Sequence, residues 1–266
     1  MTDQDDFPCV AVGIDGSPAA VDAALWAVEY AVSGGVPLRL VYVIEPSDAA
    51  ADPPDQARRL ATAELAVRYA MAAVESTELP VDIEIAILRG PPVRVLLDAA
   101  RTATMLCVGA RGLRHATRGR IGSTAAAVSA GARCPVAIVR AHRPHSARER
   151  AVVAEFHDVS AGRQVIRRAL GEAQRRHAPA RLAAPPRVCA ELGTRGSRHF
   201  AQWSHDYPGL DISPVSCSHI LDYLRSNAAA IQLLVVGRGR TGGIDEVVGA
   251  PGHAALRDSD CSILVV

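Results

Sequence analysis

Apolar and polar positions along the first 140 residues alternate between two periods. Five short runs are rich in aliphatic and β-branched residues and predict strands: Cys9–Asp15 (CVAVGID), Leu38–Ile44 (LRLVYVI), Val81–Leu88, Thr104–Gly109 and Pro135–Val139. Between the first two, Val21, Ala24, Leu25, Val28 and Val32 recur at helical spacing. Ser17 is placed to cap that helix, Pro18 suits its first position, and Gly34-Gly35 stops it. Further helices are predicted from Gln56 to Val74, from Gly90-Pro91-Pro92 through Arg101, and from Gly122-Ser123-Thr124 into an alanine-rich stretch. Strands alternating with helices make a parallel sheet with right-handed crossovers. In such sheets ligands lie beyond the carboxyl ends of the strands, where strand order reverses. Asp15 and Gly109 both end strands, so they can share that crevice.

The pattern then repeats. Val81–Gly109 (VDIEIAILRGPPVRVLLDAARTATMLCVG) parallels Leu210–Gly237 (LDISPVSCSHILDYLRSNAAAIQLLVVG), and Cys134–Val139 (CPVAIV) parallels Cys261–Val266 (CSILVV). GGVPLRLVYVIEP matches RRHAPARLAAPPR more loosely. The organisation expected is one domain over 1–140, a polar and basic linker over 141–150 (AHRPHSARER), and a worn copy of the first domain over 151–266. A length of 266 residues suits two domains of ordinary size.

Composition narrows the chemistry. Hydrophobic residues make up 49% of the chain and aromatics only 4%, so the cores are aliphatic, as in sheets covered on both faces. The net charge of +1 gives no overall attraction to nucleic acid or to an anionic membrane. All 29 cationic side chains are arginine. A P-loop needs a lysine on the terminal phosphates, and Schiff-base mechanisms need a lysine amine, so both are excluded. Six cysteines are scattered without a CxxC pair and read as reduced, buried hydrophobes. The acidic start, MTDQDDFP, lacks an apolar signal region, and no run is long enough to span a membrane, so a cytoplasmic protein is expected.

The richest stretch runs from Met105 to Arg140. Gly109 and Gly112 bracket Ala110 and Arg111, a basic loop follows, and Gly122-Ser123-Thr124 opens a helix. Glycines allow close backbone approach, and free N–H groups at a helix N-terminus attract anions. With the Ser123 and Thr124 hydroxyls as further donors, this is a phosphate cradle built without lysine. Arg111, Arg114, Arg118 and Arg120 lie in the loop, and arginine forks suit phosphate oxygens. One or two of them are expected to make contact and the rest to be solvated. His115 has no orienting carboxylate near it in sequence and reads as a surface residue.

The spacing G-x2-G-x9-G-S, with VGIDGSP at the first strand end, resembles the ATP-binding branch of the universal stress protein family over residues 8–140. The resemblance implies an α/β fold of two tandem universal-stress-protein-like (adenine nucleotide alpha hydrolase-like) domains. Each would be a five-stranded parallel sheet with helices on both faces. It also implies that Asp15 lies near the adenosine and that Val43 offers backbone atoms to the adenine edge. Gly109 and Gly112 would pass close to the ribose and phosphates, and Gly122, Ser123 and Thr124 would hold the phosphates. Two plainer readings stand beside these: Asp15 as a turn-capping acid at a helix start, and Val43 as an ordinary strand valine. In the family, edge strands of two domains pair, which implies that Pro135–Val139 and Ser262–Val266 join within one chain, with a homodimer as a further state.

The second copy departs where the chemistry would be. His157-Asp158 replaces the clean IDGSP, Arg240 stands at the second loop glycine, and Ala250-Pro251 stands at the Gly-Ser pair. Proline removes an N–H donor, and Asp245 and Glu246 oppose phosphate, so this copy is expected to bind ATP poorly. Gly237–Gly242 spells GxGxxG, but the dinucleotide reading needs an acid at the end of the next strand. Asp258 and Asp260 precede that strand instead, so the match is read as accidental. Arginines from Arg163 to Arg181 read as a solvated helix face and not as a nucleic-acid surface, since aromatic interleaving is absent.

The function expected is a nucleotide-dependent stress-response regulator binding ATP, with Mg²⁺ as its companion ion, in the first domain, and meeting a protein partner that the sequence does not name. Two alternatives differ in class: a nucleotide-free interaction module, and a slow ATPase with Asp15 influencing the metal. No Ser-His-Asp set or metal cluster is visible to support an efficient enzyme.

Overall fold

A computed structural model describes residues 7–46, 52–112, 121–140, 149–193, 198–257 and 259–266. Arg114, His115, Arg118, Arg120, most of the expected linker and Asp258 lie outside the described residues. The chain separates into two compact units, Met1–His142 and Arg143–Val266.

In the first unit the strands are β1 (Cys9–Ile14), β2 (Leu38–Ile44), β3 (Ile83–Arg89), β4 (Ala103–Gly109) and β5 (Val136–Val139). All pair in parallel, in the order β3-β2-β1-β4-β5. Strand order therefore reverses between β1 and β4. The helices α1 (Pro18–Gly34), α2 (Pro53–Glu75), α3 (Pro92–Ala99) and α4 (Ser123–Gly131) pack in two pairs, α1 with α2 and α3 with α4, on the faces of the sheet. Helix α2 begins before the expected Gln56 because both prolines sit in its first turn, where the missing N–H has no partner to lose. Helix α1 ends as read: Gly35 takes the left-handed conformation, and its N–H returns to the last carbonyls of the helix. The core is aliphatic, with Val10, Val12, Leu38, Leu40, Leu106, Ile138 and Val139 at 0–1% exposure.

One glycine fixes how closely helix and sheet approach. A Cβ on Gly109 would lie 2.6 Å from the carbonyl carbon of Ala19 and 2.8 Å from the Ala20 nitrogen. The end of β4 thus packs backbone to backbone against the first turn of α1, a contact only glycine permits.

The second unit repeats the arrangement with β6 (Ala151–Glu155), β7 (Ala180–Ala184), β8 (Ile212–Ser216), β9 (Ile231–Val236) and β10 (Ser262–Val265). The order is β8-β7-β6-β9-β10, again all parallel. Its helices are α5 (Arg163–Arg175), α6 (Pro186–Gly193), α7 (Arg198–Asp206), α8 (Ile220–Asn227), α9 (Asp245–Val248) and α10 (Ala250–Ala255). Two short helices, α6 and α7, stand between β7 and β8, where the first unit has the single long α2.

The expected solvated arginine face of α5 holds for Arg163 and Arg167, which are exposed, and is corrected for the arginines that meet an acid. Glu172 is fully buried, and Arg168, Arg175 and Arg176 converge on its carboxylate, at 3.4 Å for Arg168 and 3.1 Å for Arg175. Arg181 pairs with Asp211 at 3.0 Å. These arginines satisfy carboxylates, one of them deep in the unit, so they are not a bare basic patch. An isolated buried carboxylate would be costly, and pairing offsets that cost.

Two substitutions test this packing by urea denaturation of the full chain. Gly109→Ala must push β4 from α1 and is expected to cost about 2 kcal/mol of stability. Glu172→Ala removes the anion shared by three arginines and is expected to cost about 2 kcal/mol as well.

Candidate functional site

The carboxyl ends of β1 and β4 bring three motif positions together. Past β1, Gly16 adopts φ +83, which turns the chain sharply into α1. The turn is closed by Asp15, whose Oδ1 accepts the Ser17 N–H at 2.9 Å. Its other oxygen faces Gly112, where an added Cβ would stand 2.7 Å from Oδ2. Gly112 in turn lies against Gly122: a Cβ on Gly122 would be 3.9 Å from both the Gly112 nitrogen and the Ala110 carbonyl oxygen. Asp15, Gly112 and Gly122 therefore line one continuous corner at the switch point.

Ser17 ties this corner together in a way the sequence reading missed. Its hydroxyl accepts the Ala20 N–H at 3.2 Å as the expected cap, and it also donates to the Arg111 carbonyl oxygen at 3.2 Å. The cap of α1 thus anchors the start of the loop that follows β4. Only the side-chain acceptor role is legible from position, because the donor role needs the fold to bring together residues 94 apart.

The motif glycines do different work from one another. Gly109 is required by its approach to α1. Gly112 leaves room for the Asp15 carboxylate. Gly122 caps α4 in an extended conformation, φ −64 and ψ 151, and donates its N–H to Ala110 at 2.9 Å. That N–H is engaged within the fold. The N–H groups left open by helical geometry are those of Ser123, Thr124 and Ala125, before the first helical bond from Ala126 to Gly122. The Ser123 side is exposed, Thr124 is half-buried, and neither hydroxyl has a hydrogen-bond partner among the described residues.

Val43 lies on β2, one strand from β1. Its backbone direction follows from the ladder: Val10 donates to the Pro37 carbonyl on one side, and Leu38 donates to the Asp82 carbonyl on the other. Alternation turns the Val43 amide and carbonyl toward β1. The registered pairing of these strands ends at Ile14 with Tyr42, so the Val43 carbonyl points past the end of β1. Arg111 carries an exposed side chain beside the corner, while its carbonyl is held by Ser17.

Chemically, the corner combines open helix N–H groups, two unengaged hydroxyls, a carboxylate oxygen and a backbone carbonyl. The first two recognise an anion, and the others accept hydrogen bonds or approach a cation. Among the described residues, no group of three or more His, Cys, Asp or Glu is placed to hold a metal ion. No helix among them is long and apolar enough to cross a membrane.

In the second unit the equivalent corner is built differently. Helix α10 is capped by Gly249 as α4 is capped by Gly122, so Ala250-Pro251 stands at Ser123-Thr124, one position on from the sequence alignment. Arg240, at the Gly112 position, sends its guanidinium onto Glu155 at the end of β6, with bonds of 2.6 and 2.7 Å. Burial works against the charged guanidinium, but the Glu155 and Glu246 carboxylates outweigh it and hold Arg240 above its ordinary value. Glu155 was missed by the sequence reading, although AEFHD set beside VGID exposes an acid where the first unit has Gly13.

Comparison with known proteins agrees with this architecture. The model of the universal stress protein family matches residues 8–140. The chain is 40% identical to universal stress protein Rv2028c of Mycobacterium tuberculosis strain H37Rv, over 97% of this chain and 96% of that protein. It is 38% identical to universal stress protein Rv2624c of the same strain, over 97% and 95%. A universal stress protein structure from Archaeoglobus fulgidus superposes with a TM-score of 0.70 at 15% identity, over 97% of this chain and 95% of that one, a likeness of fold. The chain belongs to the universal stress protein family.

Proposed function

We propose that the first unit binds ATP or a related adenine nucleotide in the corner between β1 and β4, as a nucleotide-dependent regulator. The observation that carries this reading is the convergence of Asp15, Gly112 and Gly122 with the open first turn of α4 at the point where strand order reverses. That is where open parallel sheets take nucleotides, and a helix N-terminus at such a point is suited to phosphate.

Each residue has a stated part. The Ser123 and Thr124 amides and hydroxyls hold phosphate oxygens. Gly122 sets the entry into α4 and leaves that turn uncovered, and Gly112 keeps the backbone low beside Asp15. The Asp15 carboxylate accepts from the ribose or meets a phosphate-bound Mg²⁺. Val43 presents its backbone to the adenine edge, and Arg111 reaches phosphate from the loop. Gly109 contributes indirectly, by fixing β4 against α1. Binding energy of this kind biases a loop between conformations, and a partner reads the state that is populated.

The test pairs equilibrium dialysis with thermal unfolding of the full chain. Proline is well tolerated in a first helical turn, so Ser123→Pro removes one N–H and one hydroxyl while leaving α4 formed. The expected outcome is that millimolar ATP raises the melting temperature of the unaltered protein by several degrees. A ligand at one hundred times Kd adds about 2.7 kcal/mol. Ser123→Pro is expected to keep the ligand-free melting temperature and to weaken ATP binding about tenfold, the loss of a charge-assisted bond. Equal affinity in both proteins, or no shift with ATP in either, contradicts the proposal.

A further inference from the structure

The two units can be compared residue by residue through their strand registers. Gly13 on β1 pairs with Val108 on β4, and Glu155 on β6 pairs with Val236 on β9. Both pairs of strands shift register after their first residue, Cys9 in one and Ala151 in the other, so the frames coincide. Four residues beyond Val108 stands Gly112, and four beyond Val236 stands Arg240. Gly13 on β1 and Gly112 in the loop after β4 thus correspond to an acid and a cation in the second unit.

These two side chains meet. The Arg240 Nε donates to Glu155 Oε2 at 2.7 Å and Nη2 donates to Oε1 at 2.6 Å, a two-pronged pair with side chains only 4% and 6% exposed. The remaining nitrogen, Nη1, donates to the Gly243 carbonyl oxygen and to Glu246 Oε2, each at 2.7 Å. Gly242 and Gly243 take φ +91 and +72, so two successive left-handed residues wrap the loop around the guanidinium. Gly242 also has no room for a side chain, since a Cβ there would lie 2.5 Å from Glu246 Oε2. One cation therefore joins the end of β6, the loop after β9 and the first turn of α9.

We propose that Arg240 is the resident occupant of the second unit's crevice, an internal cation that closes it and holds the 237–249 loop in one conformation independently of any nucleotide. Neither substitution is tolerable alone. Glu155 without Arg240 is a buried unpaired carboxylate, and Arg240 without Glu155 is a buried unpaired guanidinium. The loop geometry then follows from the pair, because the third nitrogen has a fixed direction once the other two are engaged. The inference does not rest on nucleotide binding by the first unit, since Glu155, Arg240, Gly243 and Glu246 all belong to the second.

The experiment is native-state hydrogen exchange on the full chain, following the amides of Gly243, Val247, Val248 and Gly249, which bond within the loop and α9. In the unaltered protein they are expected to be protected without nucleotide and unchanged by millimolar ATP. Arg240→Met is expected to speed their exchange more than tenfold and to lower the melting temperature. Because that variant strands Glu155, the double variant Glu155→Leu with Arg240→Leu separates the two effects. It removes both charges, so the melting temperature should largely recover, while exchange at Gly243 and Val247–Gly249 stays more than tenfold faster than in the unaltered protein. Unprotected amides in the ligand-free chain, protection that appears only with ATP, or full protection retained in the double variant would each overturn the proposal.

Discussion

The approach of Gly109 to the first turn of α1 sets where everything else can stand. With β4 seated backbone to backbone on α1, the chain leaving β4 runs directly beside the turn leaving β1. Ser17 then reaches the Arg111 carbonyl at 3.2 Å, and the Asp15 carboxylate comes against Gly112. A larger residue at Gly109 separates the two strand ends, and the corner between them opens. The candidate site is therefore a consequence of core packing: aliphatic layers hold the sheet, and one missing Cβ lets its working edge close.

Much of this was legible in the sequence, and the reasons can be stated. The run Leu38–Ile44 is the strand β2 without adjustment, because a parallel strand covered on both faces is a largely apolar, β-branched run, and its one charge, Arg39, is paired with Glu84 on β3. The Ser17-Pro18 start and the Gly34-Gly35 stop of α1 were readable because caps depend on local chemistry. The start of α2 was misread by three residues because two prolines look like a breaker, whereas a first helical turn needs no N–H from them. Arg168, Arg175 and Arg176 differ from expectation for another reason. Glu172 lies three or four residues from Arg168, Arg175 and Arg176, but its complete burial depends on tertiary packing that no spacing reveals.

The glycine motif was the least transparent part. As a string it suggests one purpose, close approach to a ligand, yet the fold divides its members among tasks. Gly109 serves helix packing, Gly112 serves a carboxylate neighbour, and Gly122 serves as a cap whose own N–H is already bonded. The residues after it, Ser123, Thr124 and Ala125, leave N–H donors open. The worn copy shows the same logic in reverse. Arg240 at the place of Gly112 reads in isolation as a lost glycine, but with Glu155 it is one half of a paired change. The exchange of two small residues for two opposite charges leaves both charges satisfied, so the second unit's corner takes a different content.

We propose one nucleotide site per chain, in the first unit. Native mass spectrometry of the full chain titrated with ATP tests it most directly. A single adduct is expected that saturates at one adenine nucleotide per chain, with an affinity about tenfold weaker in Ser123→Pro. Two adducts per chain, or none at millimolar ATP, would contradict it.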